Sequence, residues 1–93
     1  MVKSKNDNQP ICKVTLFGTK RWLLNGKLHR ENGPAIEYAD GSKVWFFHNK
    51  LHRLDGPAVE HPNGRRWWWY HGELINSSSQ EEFDRLIKLK VLW

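Results

Sequence analysis

The chain has 93 residues, of which 39% are hydrophobic and 27% charged, so it is long enough for one globular domain and too short for a second. Fifteen Lys and Arg against ten Asp and Glu give a formal net charge of +5, which favours anionic partners such as nucleic acid, although it also aids solubility. The single cysteine, Cys12, excludes an internal disulfide, and no apolar run reaches the roughly 18 residues of a membrane span.

The N-terminal segment is polar and lacks the apolar stretch of a signal peptide. We predict a flexible polar N-terminus over 1–10 and a single β-repeat domain over 11–93, in which a C-terminal helix and tail occupy 76–93. We expect a cytoplasmic protein with no membrane segment.

The chain matches itself at a shift of 23 residues. A shared segment reads His-Arg-x-x-Gly-Pro-Ala and occurs at 29–35 and again at 52–58. A fixed period of this length indicates a repeat architecture. Other recurring positions are Gly18, Gly41 and Gly64, then Trp22, Trp45 and Trp68, then Leu28, Leu51 and Leu74.

Turn dipeptides such as Asp40-Gly41 and Asn63-Gly64 separate runs rich in β-branched and aromatic residues, which predicts antiparallel hairpins. The Gly-Pro pairs are expected to fix the entry of the chain into the following strand. The predicted fold is mainly β (α+β), an antiparallel meander built from the repeats. We expect about six short strands, at 12–17, 20–24, 35–38, 43–47, 58–61 and 65–70.

After Asn76 the pattern becomes that of a helix. Ser79 and Glu82 have the spacing of a capping box. Apolar residues follow at the i, i+3, i+4, i+7 interval, so one stripe can lie on the sheet. The sequence therefore predicts one amphipathic C-terminal helix that closes the sheet, with a stripe of Phe83, Leu86, Ile87 and Lys90-Val91.

The unit resembles the MORN repeat, which has a similar length and an N-G-K-x-H segment, here Asn49-Lys50-Leu51-His52. Because Arg-x-x-Gly-Pro-Ala follows the histidine, the chain is more similar to the H-R-x-x-G-P-A repeat proteins of large tailed phages and some bacteria, which often end in a helix. The resemblance covers roughly residues 12–93. It implies a β-repeat fold with an interaction surface for protein or lipid, and no particular chemistry. A phage origin implies an accessory protein that acts on host machinery or host defence in the host cytoplasm.

Strand alternation sorts the aligned residues onto two faces. One face interleaves cations with rings: Lys20, Trp22, Leu24, Lys43, Trp45, Phe47, Arg66, Trp68 and Tyr70. The other face carries Arg21, Leu23, Val44, Phe46, Trp67 and Trp69. Rings beside cations are typical of single-stranded nucleic-acid binders, in which bases stack while Lys or Arg contacts phosphate. The alternative is that the tryptophans form a core ladder with the cations at its edge.

The densest cluster, at 65–70, is either a ring-and-arginine hot spot for a partner or the seat of the helix and Trp93. Arg30 and Arg53 are expected to pair with Glu37 and Glu60, and the histidine before each arginine to hold its turn by a side-chain to backbone hydrogen bond. If exposed, Lys27 and these arginines could contact phosphate. The candidate nucleic-acid or partner site is Lys20, Arg21, Lys27, Arg30, Lys43, Arg53, Arg65, Arg66, Trp68, Trp69 and Tyr70.

No sequence pattern supports catalysis or metal binding. His29 and His52 recur with the repeat and have no second ligand at metal-binding spacing. Cys12 aligns with small strand residues, and no phosphate-binding loop or nucleophile elbow is present. We predict no catalytic residue, no metal and no cofactor.

The expected function is that of a non-enzymatic binding module, a phage-type accessory or counter-defence protein. It would bind RNA or single-stranded nucleic acid through its basic, Trp-rich sheet face, for example as an antitoxin that neutralises an RNA-linked host toxin. The alternatives are an inhibitor or adaptor of a host protein or ribonucleoprotein, and a self-assembling module that pairs with its own copy as a homo-oligomer.

Overall fold

A computed structural model describes residues 9–91. The mainly β (α+β) class is confirmed, since an antiparallel sheet is followed by one C-terminal helix. Residues 1–8, which form most of the predicted N-terminal segment, and residues 92–93, which include Trp93, lie outside the described part. The elements are β1 (Ile11–Val14), β2 (Lys20–Leu24), β3 (Lys27–Leu28), β4 (Ile36–Glu37), β5 (Lys43–Val44), β6 (Phe46–Phe47), β7 (Lys50–Leu51), β8 (Val59–Glu60), β9 (Arg66–Tyr70), β10 (Glu73–Ile75) and α1 (Gln80–Val91).

The strand count differs from the predicted six, because the described residues form ten strands. The chain folds back on itself at Asn25-Gly26, His48-Asn49 and His71-Gly72, which adds β3, β7 and β10. The non-glycine residues of these turns have φ values of 47° to 69°, in the left-handed region that two-residue hairpin turns require. The predicted run 43–47 is two strands, and the run 12–17 ends at Val14 because a turn begins there.

The main sheet has the order β1-β2-β4-β5-β8-β9-β10, and β3 pairs with the end of β2. Its register aligns residues in rows that cross the strands. One row is Val14, Lys20, Glu37, Lys43, Glu60 and Arg66. The neighbouring row is Lys13, Arg21, Ile36, Val44, Val59 and Trp67. Because successive side chains alternate, the two rows project from different faces. We call the first the tryptophan face, since Trp22 and Trp68 share it, and the second the opposite face.

The helix packs on the tryptophan face near Trp68, at the C-terminal end of the sheet. Trp68 is 5% exposed, and its indole Nε1–H donates to Oε1 of Gln80 at 2.8 Å. Nε2 of Gln80 donates in turn to the carbonyl of Leu54 at 2.9 Å. Phe83, at 1% exposure, is the largest fully buried side chain among the described residues. The helix therefore docks through its first turn, around Trp68.

The helix begins where the capping pattern predicts. The Ser79 hydroxyl accepts a hydrogen bond from the Glu82 amide at 3.1 Å, as an N-cap residue does. The Glu82 carboxylate accepts from the amide of Ser78 at 2.7 Å, one residue before the position that a capping box uses.

Histidine side chains join consecutive hairpins. Nδ1 of His29 accepts the amide of His48 at 2.8 Å, and Nδ1 of His52 accepts the amide of His71 at 2.8 Å. The predicted side-chain to backbone bond is present, but each histidine holds the turn of the following hairpin rather than its own. Because Nδ1 accepts, the bond needs the neutral ring with its proton on Nε2. Burial lowers the pKa of His52, and neighbouring His71 lowers it further.

This depressed pKa makes folding sensitive to acid. The unfolded chain binds a proton at His52 more readily than the folded chain does, so the stabilisation is complete above the ordinary histidine pKa of about 6.5 and is lost as the pH falls through the lower folded value. We expect the free energy of unfolding in urea to decrease between pH 7 and pH 5, with a shallower decrease in His52→Gln. An NMR titration of the His52 ring at or above its ordinary pKa would contradict this.

Candidate functional site

The arginine of each His-Arg pair lies flat on a tryptophan. The guanidinium carbon of Arg30 is 3.8 Å from the ring centroid of Trp22, and that of Arg53 is 3.7 Å from the ring centroid of Trp45. A cation over an aromatic ring is attracted by the ring's negative face, and the attraction strengthens as water is removed. One face of each indole is therefore occupied by a group of the same chain.

The remaining residues of the motif hold this guanidinium in place. Nη1 of Arg53 donates to the carbonyl of Pro57 at 3.0 Å and to the carboxylate of Glu60 at 2.9 Å. A Cβ atom on Gly56 would stand 2.5 Å from the guanidinium carbon, so any side chain at this position would displace the guanidinium. The first unit repeats the arrangement, with bonds of 3.1 and 3.3 Å from Arg30. The predicted pairing of both arginines with Glu37 and Glu60 is confirmed.

These bonds change the expected role of the two arginines. Their side chains are 27% and 19% exposed, and each charge is paired with a carboxylate, so Arg30 and Arg53 are not the exposed cations that the sequence suggested. Arg53 also pairs with Asp55 at 2.9 Å. Lys27, in contrast, is exposed and lies opposite Leu24 in the first hairpin.

The cations of the tryptophan face do not form a continuous positive stripe. Lys20, Lys43 and Arg66 share one row, but Glu37 and Glu60 stand between them, directly opposite each cation. The rings of this face are also engaged. Trp68 contacts the helix, and the Tyr70 ring lies 5.3 Å from that of His52 and 4.6 Å from that of His71.

A cleft of about 810 Å³ opens on the tryptophan face between the loops 30–34 and 52–55. Trp45 and Phe47 line it, and the carboxylates of Glu31 and Asp55 lie at its walls. A smaller cleft of about 310 Å³ beside Trp22 has its lining residues one repeat earlier. The larger cleft combines an apolar floor with acidic walls, which does not suit phosphate.

The opposite face has another charge pattern. Its rows hold the cations Lys13, Arg21 and Arg65, and none of the described residues in these rows is Asp or Glu. Asp40 lies in the turn between Tyr38 and Ser42, where hydrogen bonds from Ser42 lower the pKa of its carboxyl. The three rows are Lys13, Arg21, Ile36, Val44, Val59 and Trp67, then Thr15, Thr19, Tyr38, Ser42, His61 and Arg65, and then Ile11, Leu23, Leu28, Phe46, Leu51, Trp69 and Leu74.

Two rings of this face reach solvent. Tyr38 is 43% exposed and Trp67 is 37% exposed. His61 fixes the Trp67 ring edge-on, with centroids 5.5 Å apart, and is itself held by a 2.9 Å bond to the Ser42 hydroxyl. Trp69 is half-buried. The face therefore offers preformed aromatic surface within a cationic, carboxylate-free set of rows.

The structure divides the predicted site residues between the two faces. Arg21, Arg65 and Trp69 belong to the opposite face, while Lys20, Lys43, Arg66, Trp68 and Tyr70 belong to the tryptophan face. Lys13, Tyr38 and Trp67 were left out of the predicted set. The sequence does place all three on one face, if the alternation of side chains along each strand is followed from one hairpin to the next.

Within residues 9–91 no three His, Cys, Asp or Glu side chains lie close enough to hold a metal ion. No helix in that range is long and apolar enough to cross a membrane. Comparison with protein-family models, curated proteins and solved structures gave no match. The fold itself defines the class: an antiparallel β-sheet domain closed by a C-terminal helix.

The arginine contact can be tested at its glycine. Gly56→Ala should push the Arg53 guanidinium off Trp45 and lower the free energy of unfolding by about 1–2 kcal/mol, the range of a partly desolvated cation–π contact with its hydrogen bonds. Urea unfolding measures this. Asn32→Ala, in an exposed loop position, should change stability by less than about 0.5 kcal/mol. Equal effects of the two substitutions would contradict the assignment.

Proposed function

We propose that this protein is a non-enzymatic binding module of 23-residue, MORN-like repeats and that it binds RNA or single-stranded DNA through the opposite face. The observation that carries the proposal is the combination, on that face, of Lys13, Arg21 and Arg65 with the exposed rings of Tyr38 and Trp67, in rows without a carboxylate.

The repeat interpretation is supported by contacts that recur at the same spacing as the sequence. The arginine stack on tryptophan and the histidine bond to the next hairpin each occur twice, 23 residues apart. At the third position Asn76 replaces the arginine, and Gln80 of the helix contacts Trp68 instead. The helix would then act as the terminal cap that repeat proteins need.

The chemistry of the face suits a single strand. Bases stack on exposed aromatic rings whatever their sequence, and each stacked base contributes about 1–3 kcal/mol. Cations nearby meet the phosphates, while carboxylates would repel them. Five strand spacings separate β1 from β9, a distance of about 24 Å, which accommodates a site at the lower end of the roughly 4–16 nucleotides that such surfaces bind.

The tryptophan face, first expected to bind, fits this role less well. Its indoles at Trp22 and Trp45 are covered by arginine, and its cations alternate with Glu37 and Glu60. We therefore propose the same class of partner that the sequence suggested, RNA or single-stranded nucleic acid, bound on the opposite face instead of the tryptophan face. In the cell this function would belong to a phage-type accessory or counter-defence protein of the host cytoplasm, acting for example as an antitoxin against an RNA-linked toxin.

A protein partner is the second candidate. The feature that favours it is the edge strand β1, whose four residues are all exposed.

The two faces can be compared with charge-matched double variants. Fluorescence anisotropy of a labelled 12-nucleotide RNA, titrated at several salt concentrations, should give an affinity that falls steeply with salt. Lys13→Gln/Arg21→Gln should lower the affinity about tenfold, equal to about 1.4 kcal/mol, and reduce the salt slope by about 1.4, the value for two phosphate contacts on a single strand.

The control is Lys43→Gln/Arg66→Gln, which removes the same charge from the tryptophan face. It should change affinity by less than about threefold. A larger loss in this control than in the Lys13/Arg21 variant would place any binding on the tryptophan face, and no binding by the unmodified protein at low salt would remove the proposal.

A further inference from the structure

Among residues 9–91, no backbone group pairs with the outer edge of β1. β1 pairs with β2 alone among the described strands. The Thr15 amide donates to the Thr19 carbonyl at 2.8 Å, so by the two-residue period of an antiparallel ladder Lys13 and Ile11 also bond to β2. The N–H and C=O groups of Cys12 and Val14 therefore point away from the sheet. They form the row of unpaired groups to which another strand can add.

Apolar side chains surround this edge and are open to solvent. Ile11 is 62% exposed and Val14 61%. In the adjoining turn, Leu16 is 91% exposed and Phe17 83%. Native proteins usually protect an edge strand with charges, proline or a covering segment. Here a single charge, Lys13, interrupts an otherwise apolar edge, which is the composition expected of a binding edge.

The charge around the edge of β1 indicates which kind of strand can bind there. Residues 9–30 contain five cations and no carboxylate. Lys20 and Lys13 lie on β2 and β1 themselves, and Arg21 is paired with Lys13 in the register. A second copy of β1 would bring another Lys13 to the same place, and like charges facing each other across strands are destabilising. An acidic strand has the complementary charge.

We propose that β1 binds an extended, acidic segment of a partner protein as an added antiparallel or parallel strand. Backbone bonds to Cys12 and Val14 supply affinity, apolar side chains of the segment cover Val14 on the tryptophan face, and its carboxylates meet Lys13 and Arg21 on the opposite face. This inference goes beyond the nucleic-acid function, because it rests on the free backbone of an edge rather than on the rings of a face.

The first test uses two peptides on the complete chain. A labelled peptide of alternating Glu and Val, seven residues long and blocked at both ends, should bind saturably by anisotropy. Its counterpart with Lys in place of Glu should bind at least tenfold more weakly. Hydrogen exchange at the amides of Cys12 and Val14 should slow on binding. Equal binding of both peptides, or no protection of these amides, would overturn the proposal.

A proline substitution in β1 separates the contribution of the edge backbone to peptide binding from that of the nearby charges. Val14→Pro removes an outward amide that β2 does not use, so the β1–β2 ladder can persist. It should abolish peptide binding while RNA affinity stays within about twofold, whereas Val14→Thr, which keeps the amide, should bind the peptide normally. Unchanged peptide binding by Val14→Pro would contradict strand addition.

A second reagent makes the same test without altering the protein. The acidic peptide carrying N-methyl groups on alternate residues lacks the donors that an added strand needs, so it should not bind the unmodified chain. If it binds as well as the unmethylated peptide, the contact is one of charge alone. Because Lys13 and Arg21 serve both proposals, Val14→Pro is the variant that separates them: failure of the unmodified chain to bind RNA would remove the nucleic-acid proposal alone, and unchanged peptide binding by Val14→Pro would remove strand addition alone.

Discussion

The organisation of this sheet depends on a guanidinium group held between an indole ring and a glycine. Arg53 lies 3.7 Å from the ring centroid of Trp45, and no Cβ fits at Gly56. Its nitrogen bonds the Pro57 carbonyl and the Glu60 carboxylate. A buried cation would be costly without such partners. Because every partner comes from the same 23-residue unit, the contact can be copied along the chain, as Arg30 does one unit earlier.

The register decides how the two faces differ. It places the carboxylates of Glu37 and Glu60 on the tryptophan face, where they alternate with lysine and arginine across the strands and pair with Arg30 and Arg53. The rows of the opposite face hold cations, apolar residues and the exposed rings of Tyr38 and Trp67. The cations of the opposite face therefore have no carboxylate in their own rows.

The last unit shows what happens when the arginine is absent. Asn76 stands in its place, and the side chain of Gln80 bonds the Trp68 indole instead. The helix thus contacts a ring at a position where an arginine contacts the ring 23 and 46 residues earlier. Phe83 of the same helix is 1% exposed.

Much of the fold was accessible from the sequence. The hairpin turns, the helix with its Ser79 cap and the arginine–glutamate pairs follow from local spacing, and they are present. The turn at His48-Asn49 was missed because it contains no glycine, although asparagine tolerates positive φ. The side of the sheet that the helix covers depends on the contact of Gln80 with Trp68, a tertiary choice with no local signal.

The site was harder to predict for a physical reason. A ring beside a cation in sequence can mean a base-stacking surface or a cation–π contact already made within the chain, and residue type alone does not separate the two. Trp22 and Trp45 have made that contact. Trp67 has not, and it is found only by following strand parity across the sheet.

We propose that the binding surface is the opposite face, because arginines of the same chain already contact the indoles of Trp22 and Trp45 on the tryptophan face. The most direct test is to record the indole Nε1–H signals in NMR spectra with and without single-stranded RNA. We expect the signal of Trp67 to shift on binding, while those of Trp22, Trp45 and Trp68 stay in place. Shifts of Trp22 and Trp45 with Trp67 unmoved would show that a base displaces arginine on the tryptophan face and would contradict the account.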